Sequence, residues 1–117
     1  MQVKKQTGDK FSEEFLEEYI AELISKIPGV SRLVGGITDN LSRNLFGISD
    51  DGEGVKVNRT SEGMKIEIYI EANYLVKIPR LAWDIQTKVK EQVEQLIGET
   101  VQRVDIHVQG VSPAREV

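Results

Sequence analysis

The chain has 117 residues, 39% hydrophobic and 29% charged, which fits one compact domain with a sizeable core. It has no cysteine, so disulfides, thiolate metal sites and a cysteine nucleophile are excluded, and the expected compartment is cytoplasmic. Nineteen acidic against fifteen basic side chains give a net charge of -4, which opposes the phosphate attraction used by most nucleic-acid binders.

The opening M-Q-V-K-K-Q-T-G-D-K contains no apolar leader core, and residues 1–10 are expected to be a flexible N-terminal segment. No later stretch approaches the ~20 apolar residues that span a bilayer, so any membrane contact is expected to be peripheral, through a partner. Phe11, Phe15, Tyr19, Ile20, Leu23, Ile24 and Ile27 then recur at three- and four-residue spacing, which predicts a helix with these residues on its buried face. Ser12 is placed to cap it, Glu13 and Glu14 suit its positive end, and Pro28-Gly29 stops it.

Val30 to Ile37 predicts a short strand, with Gly35-Gly36 as a bend, and a weaker helix follows from Thr38 or Asp39 through Leu41, Leu45 and Ile48. The polar run Ser49 to Gly54 leads into a hairpin, residues 54–60 pairing with the alternation Met64, Ile66, Ile68, Ile70. Pro79 fits a first helical turn, and Ile78, Leu81, Ala82, Ile85, Val89, Val93 and Leu96 trace one face of a long helix ended by Gly98. Val104, Ile106 and Val108 alternate in a last strand before a flexible tail, residues 112–117. The order predicts an α+β fold, a single domain over 11–111, built as a two-layer sandwich with helices on a mostly antiparallel sheet.

Candidate chemistry is sparse. Asp50, Asp51 and Glu53 surround Gly52, but placing that glycine at the sixth position of a calcium loop puts Asn58 where a bidentate Glu belongs, so a solvated connection is expected. His107, the only histidine, has no nucleophile identifiable beside it and is read as an exposed or cross-strand pairing residue rather than a general base. Gly35-Gly36 lacks the spacing and the following Lys-Ser/Thr of a phosphate loop. Lys77, Arg80, Lys88 and Lys90 are interspersed with Asp84, Glu91 and Glu94, which argues for a solvated face over a nucleic-acid patch. No catalytic residue, cofactor or metal site is expected.

At 100° per residue, Gln86 lies about 60° from the centre of the long helix's apolar stripe and Trp83 about 120°. Gln86 is therefore a candidate structural polar residue whose amide needs a partner, for which the backbone of a neighbouring strand or loop would serve. Trp83, the only tryptophan, either covers the core margin or anchors another chain. Glu13, Glu14, Glu17, Glu18 and Glu22 make the outer side of the first helix acidic. The candidate interface residues are Trp83, Lys90, Tyr69, Glu14 and Glu18.

Several stretches together resemble the alkaline shock protein family of Gram-positive bacteria, the envelope stress response proteins. They are I-P-G-V at Ile27–Val30, L-F-G at Leu45–Gly47, G-V-K-V at Gly54–Val57, the alternating strand closing on Tyr74, I-Q-T-K-V at Ile85–Val89, and V-Q-R-V-D-I-H-V-Q-G-V at Val101–Val111. Leu75 departs from the family's usual tyrosine-glycine pair. The resemblance implies a non-enzymatic, stress-linked scaffold protein of cell-envelope homeostasis, self-associating as a homo-oligomer, with a membrane-anchored protein partner and no direct membrane insertion. A regulatory link to fatty-acid metabolism is the alternative the family allows, and a weak nucleic-acid-binding module is the alternative the charge pattern leaves.

Overall fold

The computed structural model describes residues 11–35 and 54–112. The weaker helix expected over 38–48, the cluster Asp50, Asp51 and Glu53, the L-F-G stretch, Gly36, Ile37, residues 1–10 and the tail beyond Ser112 lie outside the described residues. Within them the elements run α1 (Glu13–Ser25), β1 (Val30–Leu33), β2 (Val55–Thr60), β3 (Gly63–Asn73), α2 (Ile78–Ile97) and β4 (Val101–Ser112).

β3 is the hub of the sheet. Along one side it pairs antiparallel with β2, Val55 opposite Ile68 through Thr60 opposite Gly63, and then with β1, Leu33 opposite Ile70 and Val30 opposite Ala72. β1 and β2 thus abut end to end, and at their junction Tyr69 donates its N–H to the Gly54 carbonyl (2.8 Å) and accepts from the Val34 N–H (2.9 Å). Along its other side β3 pairs parallel with β4 over nearly its whole length. A parallel neighbour needs a crossover rather than a tight turn, and α2 supplies it. Two of the three pairings are antiparallel, and the architecture is an α+β sandwich.

Both helices cover one face of the sheet. The strand alternation puts Val55, Val57, Met64, Ile66, Ile68, Ile70, Ala72, Val101 and Val104 inward, where they meet Leu16, Ile20 and Ile24 of α1 and Leu81, Ile85, Val89 and Val93 of α2. Ser12 caps α1, its Oγ accepting the Phe15 N–H at 3.0 Å, and Gly98 ends α2 in the left-handed conformation with φ 74°.

Two expectations need correction. Phe15 is 44% exposed, and Phe11 and Tyr19 are only half-buried, because α1 carries two parallel i, i+4 rows and the Leu16–Ile20–Ile24 row is the one that enters the core. Phe11, Phe15 and Tyr19 instead form a row of ring contacts, with centroids 5.7 and 6.3 Å apart. Glu17 is not on the acidic outer side: its carboxylate turns in to accept the Val57 N–H at 3.0 Å. Leu75 keeps the conformation a glycine would adopt, with φ 76°, a region that costs a leucine about 1–2 kcal/mol.

Candidate functional site

The flank of α2 facing β4 is built from residues at helical spacing: Trp83, Gln86, Lys90 and Glu94 share one ridge. Three of them fasten the start of β4. Gln86 Nε2 donates to the Val104 carbonyl at 2.9 Å, Lys90 Nζ donates to the Val101 carbonyl at 3.1 Å and to Glu94 at 2.9 Å, and the Glu94 carboxylate accepts the Val101 N–H at 2.8 Å. These side chains do for the beginning of an edge strand what a further strand would do. Between them and β4 lies a shallow depression of about 410 Å³ lined by Gln86, Lys90 and residues 101–105. Trp83, on the same ridge, is 59% exposed.

The hydrogen bonds from Val101 and Lys90 hold the Glu94 carboxyl below its ordinary value. A depressed carboxyl contributes stability above its unfolded-state pKa and loses it as pH falls through the folded-state pKa. Glu94→Gln is therefore expected to lower the melting temperature at neutral pH, with the gap to wild type closing as pH falls below the ordinary carboxylate range; parallel curves would show that the charge is not the source. Glu17 has the opposite sign. Burial raises its pKa against the Val57 hydrogen bond, so its contribution declines as pH rises through the raised folded-state value.

The sheet's outer face carries the polar alternation. Tyr69 and His107, register partners on β3 and β4, stack with centroids 4.5 Å apart and planes at 12°, and the Tyr69 hydroxyl donates to Glu67 at 2.7 Å. His107 Nε2 lies 3.6 Å from the Glu67 carboxylate and makes no hydrogen bond, although the ring as a whole is 42% exposed. A second cluster joins three strands: Arg32 pairs with Glu71 at 3.2 Å, Ser112 Oγ donates to Glu71 at 3.2 Å, and the Ser31 and Ser112 hydroxyls meet at 2.8 Å. Arg32 holds the Glu71 carboxyl below its ordinary value.

The structure does not gather the candidate interface residues into one site. Trp83 and Lys90 share the α2 ridge, with Lys90 engaged internally; Tyr69 is on the outer sheet face; Glu14 and Glu18 are exposed on α1. The basic residues are dispersed too. Lys88 and Lys90 are about 200° apart around α2, and Arg80 is paired with Asp84 at 3.2 Å. Among the described residues no group of three or more His, Cys, Asp or Glu is placed to hold a metal ion, and no helix is long and apolar enough to cross a membrane. Arg59 was not singled out from the sequence, yet its guanidinium ties Glu99 (3.0 Å) and the Phe11 carbonyl (2.8 Å) to the end of β2. Its only sequence signal is a lone basic residue at the end of a hairpin strand.

The profile of the alkaline shock protein 23 family, described as having a cell envelope-related function, matches residues 2–113. The chain belongs to this family. It is similar to the uncharacterized protein YloU of Bacillus subtilis strain 168, 41% identical over 76 residues, 65% of this chain and 59% of the relative. It is also similar to the uncharacterized protein YqhY of the same organism, 25% identical over 87 residues, 74% of this chain and 64% of the relative. A third relative is the uncharacterized protein Spy1614 of Streptococcus pyogenes serotype M6, 31% identical over 80 residues, 68% of this chain and 65% of the relative. The matched stretches span less than two thirds of these alkaline shock relatives. No solved structure matches.

Proposed function

We propose that this alkaline shock family member is a non-catalytic, stress-linked interaction module of cell-envelope homeostasis, which self-associates and is held peripherally at the cytoplasmic side of the membrane by an anchored protein partner. The observation that carries it is how side chains are used at the surface. The polar groups best placed for chemistry, Gln86, Lys90, Glu94, Glu17 and Arg59, are bonded to the chain's own backbone. Large apolar groups are left outside: Leu75 is 82% exposed, Trp83 59%, Tyr74 53% and Phe15 44%. Aromatic and aliphatic side chains standing out from a charged surface are the usual anchors of protein contacts.

The test has two arms. In the native cell, chemical crosslinking of the chain is expected to trap copies of itself together with a membrane-anchored protein, and loss of the gene to sensitise the envelope to alkaline stress. In vitro, a broad substrate and metal screen is expected to give no turnover. Turnover abolished by His107→Ala would overturn the proposal in favour of an enzyme. Salt-sensitive nucleic-acid binding lost on replacing Lys88 and Lys90 would overturn it in favour of the nucleic-acid alternative.

A further inference from the structure

Among the described residues, β4 is an edge strand with an unprotected middle. Tyr69 turns both its main-chain groups toward Gly54 and Val34, away from β4, so its register partner His107 turns its own toward β3. The alternation then sends the N–H and C=O of Ile106 and Val108 outward. Among the described residues nothing bonds to these four groups. Both outward groups at Val101 and the carbonyl at Val104 differ, being engaged by Glu94, Lys90 and Gln86.

Between its two irregularities, and among the described residues, this edge lacks the usual protections. Val104 to Val111, V-D-I-H-V-Q-G-V, has no proline or lysine and one formal charge, Asp105. The ladder to β3 skips a residue at Gln102 and again at Gln109, leaving a regular stretch from Arg103 to Val108 between the two irregularities. On the inner face Ile106 and Val108 are only half-buried, while their register partners Ile68 and Ile70 are fully buried, so the apolar layer is unfinished at this edge. Elsewhere the sheet's flanks are short or attended: β1 has four residues, and β2 lies against α1, whose Glu17 takes the Val57 N–H.

We propose that two copies of this chain join their sheets through β4, antiparallel, about a two-fold axis beside His107. This names the surface for the self-association proposed above and rests on it. The register follows from matching free groups. An axis at His107 sets Ile106 opposite Val108 of the other copy, twice, and uses all four of the groups at Ile106 and Val108 in each chain. An axis at Ile106 sets Val108 against Val104, whose carbonyl Gln86 already holds, and an axis at Val108 sets Ile106 against Gly110, whose groups face β3. The charges agree: Asp105 falls opposite the Gln109 carboxamide and diagonal to the His107 imidazole of the other copy, and no like charges are set opposite one another.

Such an axis is perpendicular to the sheet, so both α2 helices lie on the same side. α2 runs back along β4, with Lys90 above Val101 and Gln86 above Val104, which brings Trp83 level with Ile106 and so beside Val108 of the other copy. The two indoles then flank the axis and cover the Ile106–Val108 pairs. A contact of four main-chain groups and one indole per chain is small, so the dimer is a weak one, read at micromolar to submillimolar concentration.

Sedimentation velocity is expected to show a monomer–dimer equilibrium in wild type. Val108→Pro removes an outward N–H that β3 does not use, a place where an edge strand tolerates proline, and should raise the dissociation constant at least tenfold while circular dichroism stays native. Trp83→Ala should do the same. Independently of either variant's folding, His107→Cys places a single thiol at a non-hydrogen-bonded antiparallel pair, where Cα atoms are about 4.5 Å apart and a disulfide fits. With oxidised glutathione it should crosslink far faster than Lys88→Cys on the opposite flank of α2. If wild type associates but Val108→Pro leaves the equilibrium unchanged and His107→Cys crosslinks no faster than Lys88→Cys, the β4 surface is wrong and self-association stands. Wild type remaining monomeric, with no preferential crosslink, removes both.

Discussion

Replacing Ile85 with Asp is expected to abolish cooperative thermal unfolding, leaving a chain whose circular dichroism drifts with temperature instead of passing through a transition. Ile85 is fully buried in the stripe Leu81–Ile85–Val89–Val93 that α2 lays on the sheet. Truncating such a side chain alone costs about 2–5 kcal/mol. A carboxylate left without a partner adds a further desolvation penalty of several kcal/mol. A domain of this size has a total stability of about 5–15 kcal/mol, so the sum takes most or all of it. Ile85→Val supplies the scale: it keeps the shape, removes one methylene and should cost about 0.5–1.5 kcal/mol with a sharp transition retained. Wild-type thermal stability in the Asp variant would mean that α2 does not cover the sheet through this face.

The long helix and the central strand were legible because each obeys one period without interruption. Gln86 was legible for a related reason: an amide about 60° off an apolar stripe has to find a partner, for which a neighbouring backbone would serve, although its angle does not say which one. The inner row of α1 was not. Phe11–Phe15–Tyr19 and Leu16–Ile20–Ile24 are adjacent rows of equal spacing, and only the position of β2 decides which of them is covered. The irregularities of β4 did leave a trace in the sequence. Val101 to Val104 and Val108 to Val111 are three residues apart where a strand repeats every two, and the ladder skips Gln102 and Gln109 there. The partner of β4 left a trace as well, since a 20-residue helix between two strands is a crossover and makes a parallel neighbour available. What no local pattern carries is the long-range connection, such as Arg59 reaching both Glu99 and Phe11, because neither partner's spacing depends on the other.

Gly54→Ala is expected to lower the melting temperature by at least about 4 °C, a large effect for one added methyl group. An alanine at an ordinary position stabilises by about 0.4–1 kcal/mol, because it restricts the unfolded chain. Here two terms oppose that. Gly54 has φ 96°, where an L-residue meets a cost of about 1–2 kcal/mol, and its added Cβ would stand 2.8 Å from Leu33 Cβ and 3.3 Å from the Val34 nitrogen. A Cβ cannot rotate away from another Cβ, so relief requires β1 and the start of β2 to separate, an overpacking cost of about 1–3 kcal/mol. Separation has a further consequence, because Gly54 and Val34 are the two residues that bond to Tyr69 at the junction of β1 and β2. The close approach at Leu33 is therefore what lets two short strands share one side of β3 with no gap in its hydrogen bonding. Thermal melts of wild type and variant decide the matter: an unchanged or raised melting temperature would mean that β1 and β2 do not meet at Gly54, whereas the expected drop explains physically why the stretch G-V-K-V begins with a glycine.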